Sequence, residues 1–572
     1  MTNHHLMASI PQILQVLILY KYQAPFKDLN MTINFIANED DLKKEIAKID
    51  LTKPIFCDTE TIGLYGKVRL LQLTQDGKNV AVIDCNIVDV NNAIKALKDA
   101  WVVFYNASYD LACLDWVPSK VDDLLWLVKL YNPFLKEYAL DKVIEHYGFD
   151  TLYDGLNKKD LQKSKFDGVL LDEQIRYAAT DVVALFKLWQ EIDYKTISSL
   201  MCYKLDICSL KYAIQYQRNG MSINTKTIAE ELVKVNKSIV ENEAKLNGLN
   251  VNSPKQCKEA LGVDATSKDV LLKLISNGNE LAKLIYDQRR CIKKRTLLES
   301  YNYHKVYTKF NVAGAASGRF TATGKNIYAG INGQQIPRSL KYAFVSEDEN
   351  IVTIEGDYST LELRLAAAIF GDEFMYNQLK NNEDLHTSMA QFISNSKEVS
   401  DEERTKAKAI NFGLVFGMSA PSFVEYAFTN FGVTYTLEEA TKIRNKYFER
   451  YKTIAKVHKN IWNNYKNESY VYSTALGRRV KPKLGTDAIN GPIQGSGAET
   501  TKLAIHYMVK ENEQVLGKIV NVVHDSIKLE VPKNEVDYWG QLLERNMLKA
   551  WDKISELFIY KDIPMKVDVK VK

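Results

Sequence analysis

The first third of the chain contains acidic side chains whose spacing suits the binding of divalent cations. Asp58 and Glu60 are two residues apart in FCDTET, so both carboxylates lie on one face if this β-rich run is a strand. Side chains four residues apart share a face of a helix, and two pairs have that spacing: Asn106 with Asp110, and Tyr177 with Asp181. Taken singly, such acids are more often solvated surface charges than ligands.

If the three segments meet in space, four acids gather around one point and need divalent cations to offset their repulsion. Oxygen ligands alone select Mg²⁺ or Mn²⁺. Two such ions would activate a water and stabilise the leaving oxygen in phosphodiester hydrolysis, and Tyr177 could orient that water. The motifs therefore predict a nuclease centre whose metal ligands are Asp58, Glu60, Asp110 and Asp181.

Two acids further along the chain predict a second metal centre. Asp357 ends the strand pattern of VTIEGD, and Asp525 lies between apolar runs in VVHDSIKLEV, as expected at the turn of a β-hairpin. Either acid alone is more often a turn residue or a cap. Together they could hold two ions for nucleotidyl transfer, one lowering the pKa of a primer 3′-OH and the other binding the triphosphate.

Between these acids, RTKAKAINFGLVFG places two cations and two aromatic residues at intervals of four: Arg404, Lys408, Phe412 and Phe416. On a helix they would form one stripe. The cations could neutralise a triphosphate, and an aromatic plane could pack on a base or sugar. A partly buried helix with a polar end is the alternative interpretation. The sequence contains no GxxxxGK[ST] phosphate-binding loop.

The bulk composition is that of an ordinary globular protein, with 46% hydrophobic and 26% charged residues and a net charge of only +4. Its seven cysteines include no CxxC pair, which indicates reduced thiols in the cytoplasm, with Cys57 a buried strand residue. No apolar run is long enough to predict a membrane span. We expect residues 1–30 to be an N-terminal extension that could be disordered.

The pattern of elements predicts a multidomain protein of α/β and α+β class. Residues 31–195 alternate short β-rich runs with helical stretches, which is an α/β pattern. Long charged helices follow, as in TIAEELVKVNKSIVENEAKL. A second mixed region then holds the strands VTIEGD and IVNVVHDSIKLEV on either side of a mostly helical block at 373–470.

Motifs in both halves resemble known families. DxE, Nx₃D and Yx₃D resemble the exonuclease motifs of the DEDD superfamily in its tyrosine-containing branch. DYSTLELR, RTKAKAINFGLVFG and HDS resemble the palm and fingers motifs of family A DNA polymerases, the polymerase I type, with support from SGRF, NGQQIPR, LGRR, NGPIQG and SPKQ. This resemblance implies DNA synthesis from dNTPs on primer–template DNA, with Mg²⁺ or Mn²⁺ and with 3′→5′ proofreading.

The resemblance also implies a domain order. A ribonuclease H-like 3′→5′ exonuclease domain at 31–195 would precede a right-hand polymerase domain at 196–572. Within the polymerase domain, the thumb would occupy 200–310, the palm 311–372 and 471–572, and the fingers 373–470.

Roles follow position by position from the same resemblance. Asp357 and Asp525 would bind the catalytic metals, and Arg404 and Lys408 would hold the triphosphate. Glu362 would be the steric gate that leaves no room for a 2′-OH, and Phe412 implies poor use of dideoxynucleotides. The remaining implied contacts are with primer–template or its minor groove: Arg319, Gln335, Asn490, Gln494 and His524.

The chain departs from the family pattern at several positions. Phe416 replaces a tyrosine that would order the template side, and Thr486 stands where many relatives have arginine. Ser526 replaces the glutamate of HDE, so we expect any third carboxylate at the polymerase site to be absent. The sequence stops at Lys572, short of a tryptophan-containing tail.

We expect no 5′-nuclease domain, because only 30 residues precede the exonuclease region, and no insertion for a processivity partner. Such an organisation favours a phage replicative enzyme, a monomer acting in the host cytoplasm with a helicase or primase; an organellar enzyme is the alternative. Other functions remain open: an exonuclease with a vestigial second half, a single-subunit RNA polymerase, and a non-catalytic DNA-binding scaffold. Glu362 and the exonuclease motifs argue against the RNA polymerase.

Overall fold

The computed structural model of the protein describes residues 31–324 and 330–572. The expectation for residues 1–30 concerns a segment outside these residues. Two sheets of different design dominate the described part, and helices separate them along the chain. The predicted α/β and α+β fold class is therefore confirmed.

The first sheet is mixed, with the strand order β1-β4-β3-β2-β5-β6. Its strands are β1 (Thr32–Ile36), β2 (Pro54–Thr61), β3 (Val68–Thr74), β4 (Asn79–Asp84), β5 (Trp101–Phe104) and β6 (Lys120–Asp123). β3 is antiparallel to β2 and β4, and the other neighbours are parallel. β3 is buried along its whole length because other elements cover both faces of the sheet.

The helices of this region are Glu39–Ile46, Val90–Ala96, Ala107–Cys113, Leu124–Tyr131, Leu140–His146, Lys158–Leu161, Asp172–Glu191 and Tyr194–Ser199, with a 3₁₀ turn at Asp150–Tyr153. The longest, Asp172–Glu191, lies across β2, β3 and β4. Its apolar face, including Ile175, Val182 and Leu185, is fully or almost fully buried, so packing fixes which side chains face the sheet.

An antiparallel helical arm follows. Its helices are Met201–Tyr216, Thr225–Leu246, Pro254–Leu261, Lys268–Ser276 and Glu280–Ser300. The two longest pack along each other, and each begins at an asparagine whose side chain accepts a backbone N–H: Asn224 from Thr227 and Asn279 from Ala282. Two small apolar clusters stabilise this arm, separate from the main core.

Short pairings connect the arm to the second sheet. β7 (Met221–Ser222) pairs with β8 (Lys305–Val306), and β9 (Lys309–Asn311) pairs with β10 (Thr321–Thr323). Two 3₁₀ turns follow at Gly333–Gln335 and Arg338–Ala343.

The second sheet is antiparallel, with the order β14-β15-β11-β16. Its strands are β11 (Ile351–Tyr358), β14 (Ile519–Val523), β15 (Ser526–Pro532) and β16 (Val567–Val571), while β12 (Tyr472–Ser473) pairs separately with β13 (Arg479–Val480). Helix Val536–Ser555 packs on β11, and helix Gly485–Glu511 packs on that helix. One face of β11 is thereby covered, and the other carries its polar residues.

Seven helices span the predicted helical block and its entrance: Leu361–Phe370, Glu373–Lys380, Leu385–Ser394, Asp401–Leu414, Ala420–Phe431, Leu437–Arg450 and Lys452–Tyr465. The helix that carries Arg404 begins with a capping box, in which Ser400 and Glu403 each bond the other's backbone N–H. It ends at Leu414, so the predicted helical stripe is wrong at Phe416, which lies beyond the helix. Gly417 follows with a φ of +76°, a conformation that ends a helix at little cost for glycine.

Across residues 31–324 and 330–572, no helix combines the length and apolar character needed to cross a bilayer. The seven cysteines are free, and Cys57 is buried as predicted.

Candidate active sites

Three of the predicted nuclease acids come together on β2, an interior strand of the first sheet, and on the helix that packs across it. Asp58 and Glu60 lie on β2, and Asp181 lies on the helix that crosses it. One carboxylate oxygen from each lies within 4.8 Å of the others. The period of a strand and the packing of one helix are enough to produce this cluster.

Asp110 joins the same cluster from the helix Ala107–Cys113. The hydroxyl of Thr59, between the two β2 acids, donates to Asp110 Oδ1 at 2.7 Å. Asn106 precedes this helix with a φ of +66°, so the prediction that it shares a helical face with Asp110 is wrong. Its backbone N–H instead donates to Asp123 Oδ1 at 3.2 Å.

Burial and mutual repulsion dominate the electrostatics of these acids. Burial, followed by the charges of Asp110, Asp181 and Glu60, raises the pKa of Asp58 well above its usual range. Burial also raises the pKa of Asp110 to about 7 and that of Asp181 to about 6. Oxygen ligands that repel one another in a buried site suit a divalent cation, because its charge would lower all of these pKa values together. The residues present therefore fit the predicted ions.

Two tyrosines contact Asp181, although the sequence predicted only Tyr177. The hydroxyl of Tyr153 donates to Asp181 Oδ1, and Tyr177 also hydrogen-bonds to this carboxylate. Lys158 lies beside them, with its ammonium 3.8 Å from the centroid of the Tyr153 ring. The segment DTLYDGLNKKDL has no periodic spacing to the acidic motifs, so only the folded chain reveals these residues.

Another unpredicted residue, Lys309, reaches this site from β9, outside the first sheet. Its ammonium lies 3.8 Å from the centroid of the Tyr65 ring and 5.2 Å from that of Tyr109. Tyr109 precedes Asp110, and its hydroxyl is 2.6 Å from Thr61 Oγ1. A lysine from the second half of the chain is thus buried next to the nuclease acids.

The two acids of the predicted polymerase centre are also neighbours. Asp357 is the penultimate residue of β11, and Asp525 lies in the turn between β14 and β15, as the strand patterns predicted. Cross-strand register places Asp357 opposite Ser526. Burial, and next the negative charge of Asp357, raises the pKa of Asp525 to about 7. Burial, and next the charge of Glu355, raises the pKa of Asp357.

Arg319, Glu362 and His524 surround this second pair of acids. Arg319 Nη2 donates to Glu362 Oε1 at 2.8 Å. Burial, then the positive charges of Arg319 and Lys341, lowers the pKa of His524. The structure therefore places a predicted DNA contact against the predicted steric gate.

The predicted triphosphate residues lie on helix Asp401–Leu414, facing the start of helix Leu385–Ser394. Arg404 Nε donates to Asp384 Oδ2 at 2.7 Å. Phe412 packs on His386, with ring centroids 5.6 Å apart. Burial lowers the pKa of His386 to about 4, with the charge of Asp384 opposing this shift and those of Arg404 and Lys408 adding to it.

The remaining predicted DNA contacts occupy two other elements. Asn490 and Gln494 are four residues apart on helix Gly485–Glu511 and are both half-buried. Gln335 is exposed in its 3₁₀ turn, whereas its neighbour Gln334 donates to Val522 O at 3.2 Å. The buried Phe416 lies near the end of the Arg404 helix.

Comparison with known proteins adds an independent observation. Residues 218–572 match the model of "DNA polymerase family A", and residues 33–197 match that of "3′-5′ exonuclease". DNA polymerase I of Aquifex aeolicus is 28% identical over 94% of this chain and 98% of that protein. The DNA polymerases I of Caldicellulosiruptor bescii and Bacillus subtilis are 27% and 29% identical over 76% and 60% of this chain. The chain covers 53% and 42% of those two proteins.

Among solved structures, the POL domain of Pol1 from M. smegmatis, in complex with DNA primer-template and dNTP, superposes with a TM-score of 0.72. The match covers 94% of this chain and 99% of that one at 19% identity, so it shows a shared fold. The family models cover most of the sequence in the same order as the two carboxylate clusters. The chain belongs to DNA polymerase family A and carries a 3′-5′ exonuclease domain ahead of its polymerase region.

Proposed function

We propose that the protein extends a DNA primer with dNTPs at Asp357 and Asp525 and trims primer 3′ ends at Asp58, Glu60, Asp110 and Asp181. The observation that carries the proposal is the presence of two separate acid clusters, each built from residues distant in sequence. Each cluster lies in the region that matches the corresponding family model.

Both clusters would hold divalent cations, Mg²⁺ or Mn²⁺, two at each site. When bound, these ions supply Lewis-acid chemistry, activating the attacking oxygen and stabilising the leaving oxygen of a phosphodiester. The protein's own acids hold the ions in place. Asp58, Glu60, Asp110 and Asp181 are the proposed ligands of one site, and Asp357 and Asp525 those of the other.

At the nuclease site, the two tyrosines on Asp181 would fix this carboxylate and orient the attacking water. Tyr177 is the proposed orienting residue, and Tyr153 holds the carboxylate of Asp181 through its bond to Oδ1. Lys158 is placed to balance negative charge, since burial lowers its pKa while Asp181 raises it.

At the polymerase site, Arg404 and Lys408 would bind the triphosphate, with Phe412 packing beside the base or sugar. Arg404 is bonded to Asp384 in this structure, so a triphosphate would replace that carboxylate as its partner. Glu362 would exclude a ribose 2′-OH through its bulk.

Primer–template DNA would lie against Arg319, Gln335, Asn490, Gln494 and His524. Phe416 would lie on the template side. The Pol1 domain from M. smegmatis that shares the fold is held with DNA primer-template and dNTP, which supports the same ligands here. Minor-groove contacts of this kind check the shape of a base pair without reading its sequence.

The domain limits given for the exonuclease, thumb, palm and fingers remain part of the proposal, as do a monomeric state and a helicase or primase partner. The relatives compared are bacterial polymerases I, so they do not support a phage source. Replication by a phage-type enzyme remains a prediction from the sequence.

One pair of variants tests the proposal. Asp357→Ala should abolish primer extension and leave 3′-end degradation intact, and Asp58→Ala should do the reverse. The assay uses a labelled primer–template with dNTPs, with rNTPs, or without nucleotides. Parallel loss of both activities in a folded variant would contradict the two-site proposal, and efficient use of rNTPs would favour an RNA polymerase.

A further inference from the structure

The turn that carries Asp525 continues into Ser526, where the family motif HDE has a glutamate. The sequence therefore predicts that a third carboxylate is missing from the polymerase site. The structure places a different carboxylate, that of Glu355, next to Ser526. Ser526 Oγ lies 3.5 Å from Glu355 Oε1 and can donate to it.

The geometry of β11 fixes which way Glu355 points. Tyr358 donates to Met547 O at 2.7 Å, and a Cβ placed on Gly356 would lie 2.8 Å from Leu543. These residues belong to the face that packs on helix Val536–Ser555. Because side chains alternate along a strand, Glu355 and Asp357 share the opposite, polar face.

The cross-strand register puts Glu355 diagonal to Ser526. Asp357 lies opposite Ser526, and Glu355 lies opposite Lys528. Residues diagonal across an antiparallel pair are close enough for long side chains to interact. A carboxylate at 355 can therefore reach the region that a glutamate at 526 would occupy from the neighbouring strand.

The position of Glu355 is fixed by Lys572, the residue after β16. Lys572 Nζ donates to Glu355 Oε2 at 2.5 Å. The backbone of Lys572 is itself anchored to β11, with its N–H donating to Thr353 O at 2.8 Å and its O accepting from Thr353 N at 3.0 Å. Glu355 is thus an ordered side chain, 18% exposed.

A cavity of about 220 Å³ borders this carboxylate and Ser526. Among the described residues that line it, Glu355 is the acid, and the cations are Arg338, Lys341, Lys528 and Lys572. The other charged residues of this wall are cations, which would repel a metal ion. Glu355 supplies the negative charge, and it lies close enough to Asp357 to add to burial in raising the pKa of that acid.

We propose that Glu355 is a positioning residue for the polymerase centre, a third carboxylate supplied by β11 in place of the one missing at Ser526. It strengthens the binding of divalent cations by Asp357 and Asp525 through its charge and through the hydroxyl of Ser526. This inference rests on the proposed function of those two acids.

The test is a cycle of variants at 355 and 526 in the full chain, with Asp58→Ala present throughout to remove the nuclease centre. Mn²⁺ binding is titrated by electron paramagnetic resonance on a complex with dideoxy-terminated primer–template and dNTP, in which no reaction occurs. Primer extension against Mg²⁺ concentration is the second measurement. Glu349→Gln, at an exposed acid just before β11, is the matched control.

Glu355→Gln should weaken Mn²⁺ binding at the polymerase site about three- to tenfold, as expected for losing one nearby charge at protein-like dielectric. Glu349→Gln should change it less than about twofold, because exposed charges are screened. Ser526→Glu should restore binding when combined with Glu355→Ser, yet add little when Glu355 is intact. Such coupling would show that a carboxylate at 526 replaces the one at 355, whereas two independent charges would have additive effects on Mn²⁺ binding.

Unchanged Mn²⁺ affinity in folded Glu355→Gln would overturn the inference. Equal tightening of Mn²⁺ binding by Ser526→Glu, with Glu355 intact and with Glu355→Ser, would also overturn it. This comparison does not use Glu355→Gln, so it can be made even if that variant fails to fold. If the parent chain neither binds Mn²⁺ at this site nor extends primers, the proposed function itself fails. If the parent chain binds Mn²⁺ and extends primers, but the variants show no coupling between positions 355 and 526, only the role of Glu355 is rejected.

Discussion

Arg319 and Glu362 form an ion pair near Asp525, with Arg319 Nη2 donating to Glu362 Oε1 at 2.8 Å. Both side chains are about one-quarter exposed, at 27% and 26%. Glu362 is therefore held in one position by the residue proposed to touch primer–template. A steric gate needs such support, since a mobile side chain would move aside for a 2′-OH.

We expect Glu362→Ala to relax the discrimination between dNTPs and rNTPs by at least about tenfold, because the bulk that excludes the hydroxyl is gone. The measurement is kcat/KM for each nucleotide in single-nucleotide extension. Glu362→Gln keeps the bulk and should retain most of the discrimination while weakening the bond to Arg319. Equal relaxation in both variants would show that charge, and not size, selects the sugar.

The four nuclease acids should make stability depend on pH when divalent ions are removed. Asp110 has a folded pKa of about 7 against an ordinary value of 3.8, so the folded state binds more protons between these values. Stability should fall as pH rises through this window, and it should be highest below it. Each unit of pKa shift corresponds to about 1.4 kcal/mol.

Thermal unfolding in EDTA at pH 5 and pH 8 measures this effect. Asp110→Asn should reduce the difference in the unfolding midpoint between the two pH values by at least about 2 °C. Adding Mg²⁺ at pH 8 should restore stability to the parent and help the variant less. An identical pH dependence in parent and variant would refute the role of this carboxylate.

Lys309 should couple the polymerase region to the nuclease site. Lys309→Met keeps the stem but removes the cation between Tyr65 and Tyr109, a contact of about 0.5–2 kcal/mol. We expect the rate of 3′-end degradation to fall severalfold, since Tyr109 precedes Asp110, while primer extension changes little. Lys305→Met is the control, because that exposed ammonium donates to a backbone oxygen, that of Asn219. Equal loss of both activities would indicate general destabilisation.

Asp206 forms a buried junction between the helical arm and the polymerase centre. Its carboxylate accepts from Arg478 and, at 2.6 Å, from Lys502, whose ammonium also donates to Gly318 O at 2.7 Å. Asp206→Asn would remove the charge that bonds both buried cations. The buried Glu499 would be their remaining counter-charge; among the described residues, it interacts with both cations but accepts no hydrogen bond from either. We expect a loss of about 3–5 kcal/mol in the free energy of unfolding.

Denaturant unfolding of Asp206→Asn measures this loss. Asp40→Asn is the control, since Asp40 and Lys43 form a pair 83% and 76% exposed and such a pair contributes about 0–1 kcal/mol. Asp206→Asn should also weaken primer–template binding, because Gly318 precedes Arg319. Similar free energies of unfolding for Asp206→Asn and Asp40→Asn would contradict the stabilising role of Asp206.

Local patterns in the sequence were enough to predict the fold class and the elements that carry the acids. The two-residue period of a strand placed Asp58 and Glu60 together, and the four-residue period of a helix placed Tyr177 beside Asp181. The hairpin turn at Asp525 followed from the apolar runs on either side of it. These features depend on interactions between near neighbours, so spacing alone reveals them.

Only the tertiary structure decided which distant side chains complete each site. Tyr153, Lys158 and Lys309 reach the nuclease acids from segments with no periodic relation to the motifs. Glu355 reaches Ser526 because β11 and β15 pair in one particular register, and Phe416 leaves the predicted stripe because its helix ends at Leu414. Strand register, burial and long-range charge interactions arise from the packing of whole helices and strands. The spacing of residues along the sequence does not determine them.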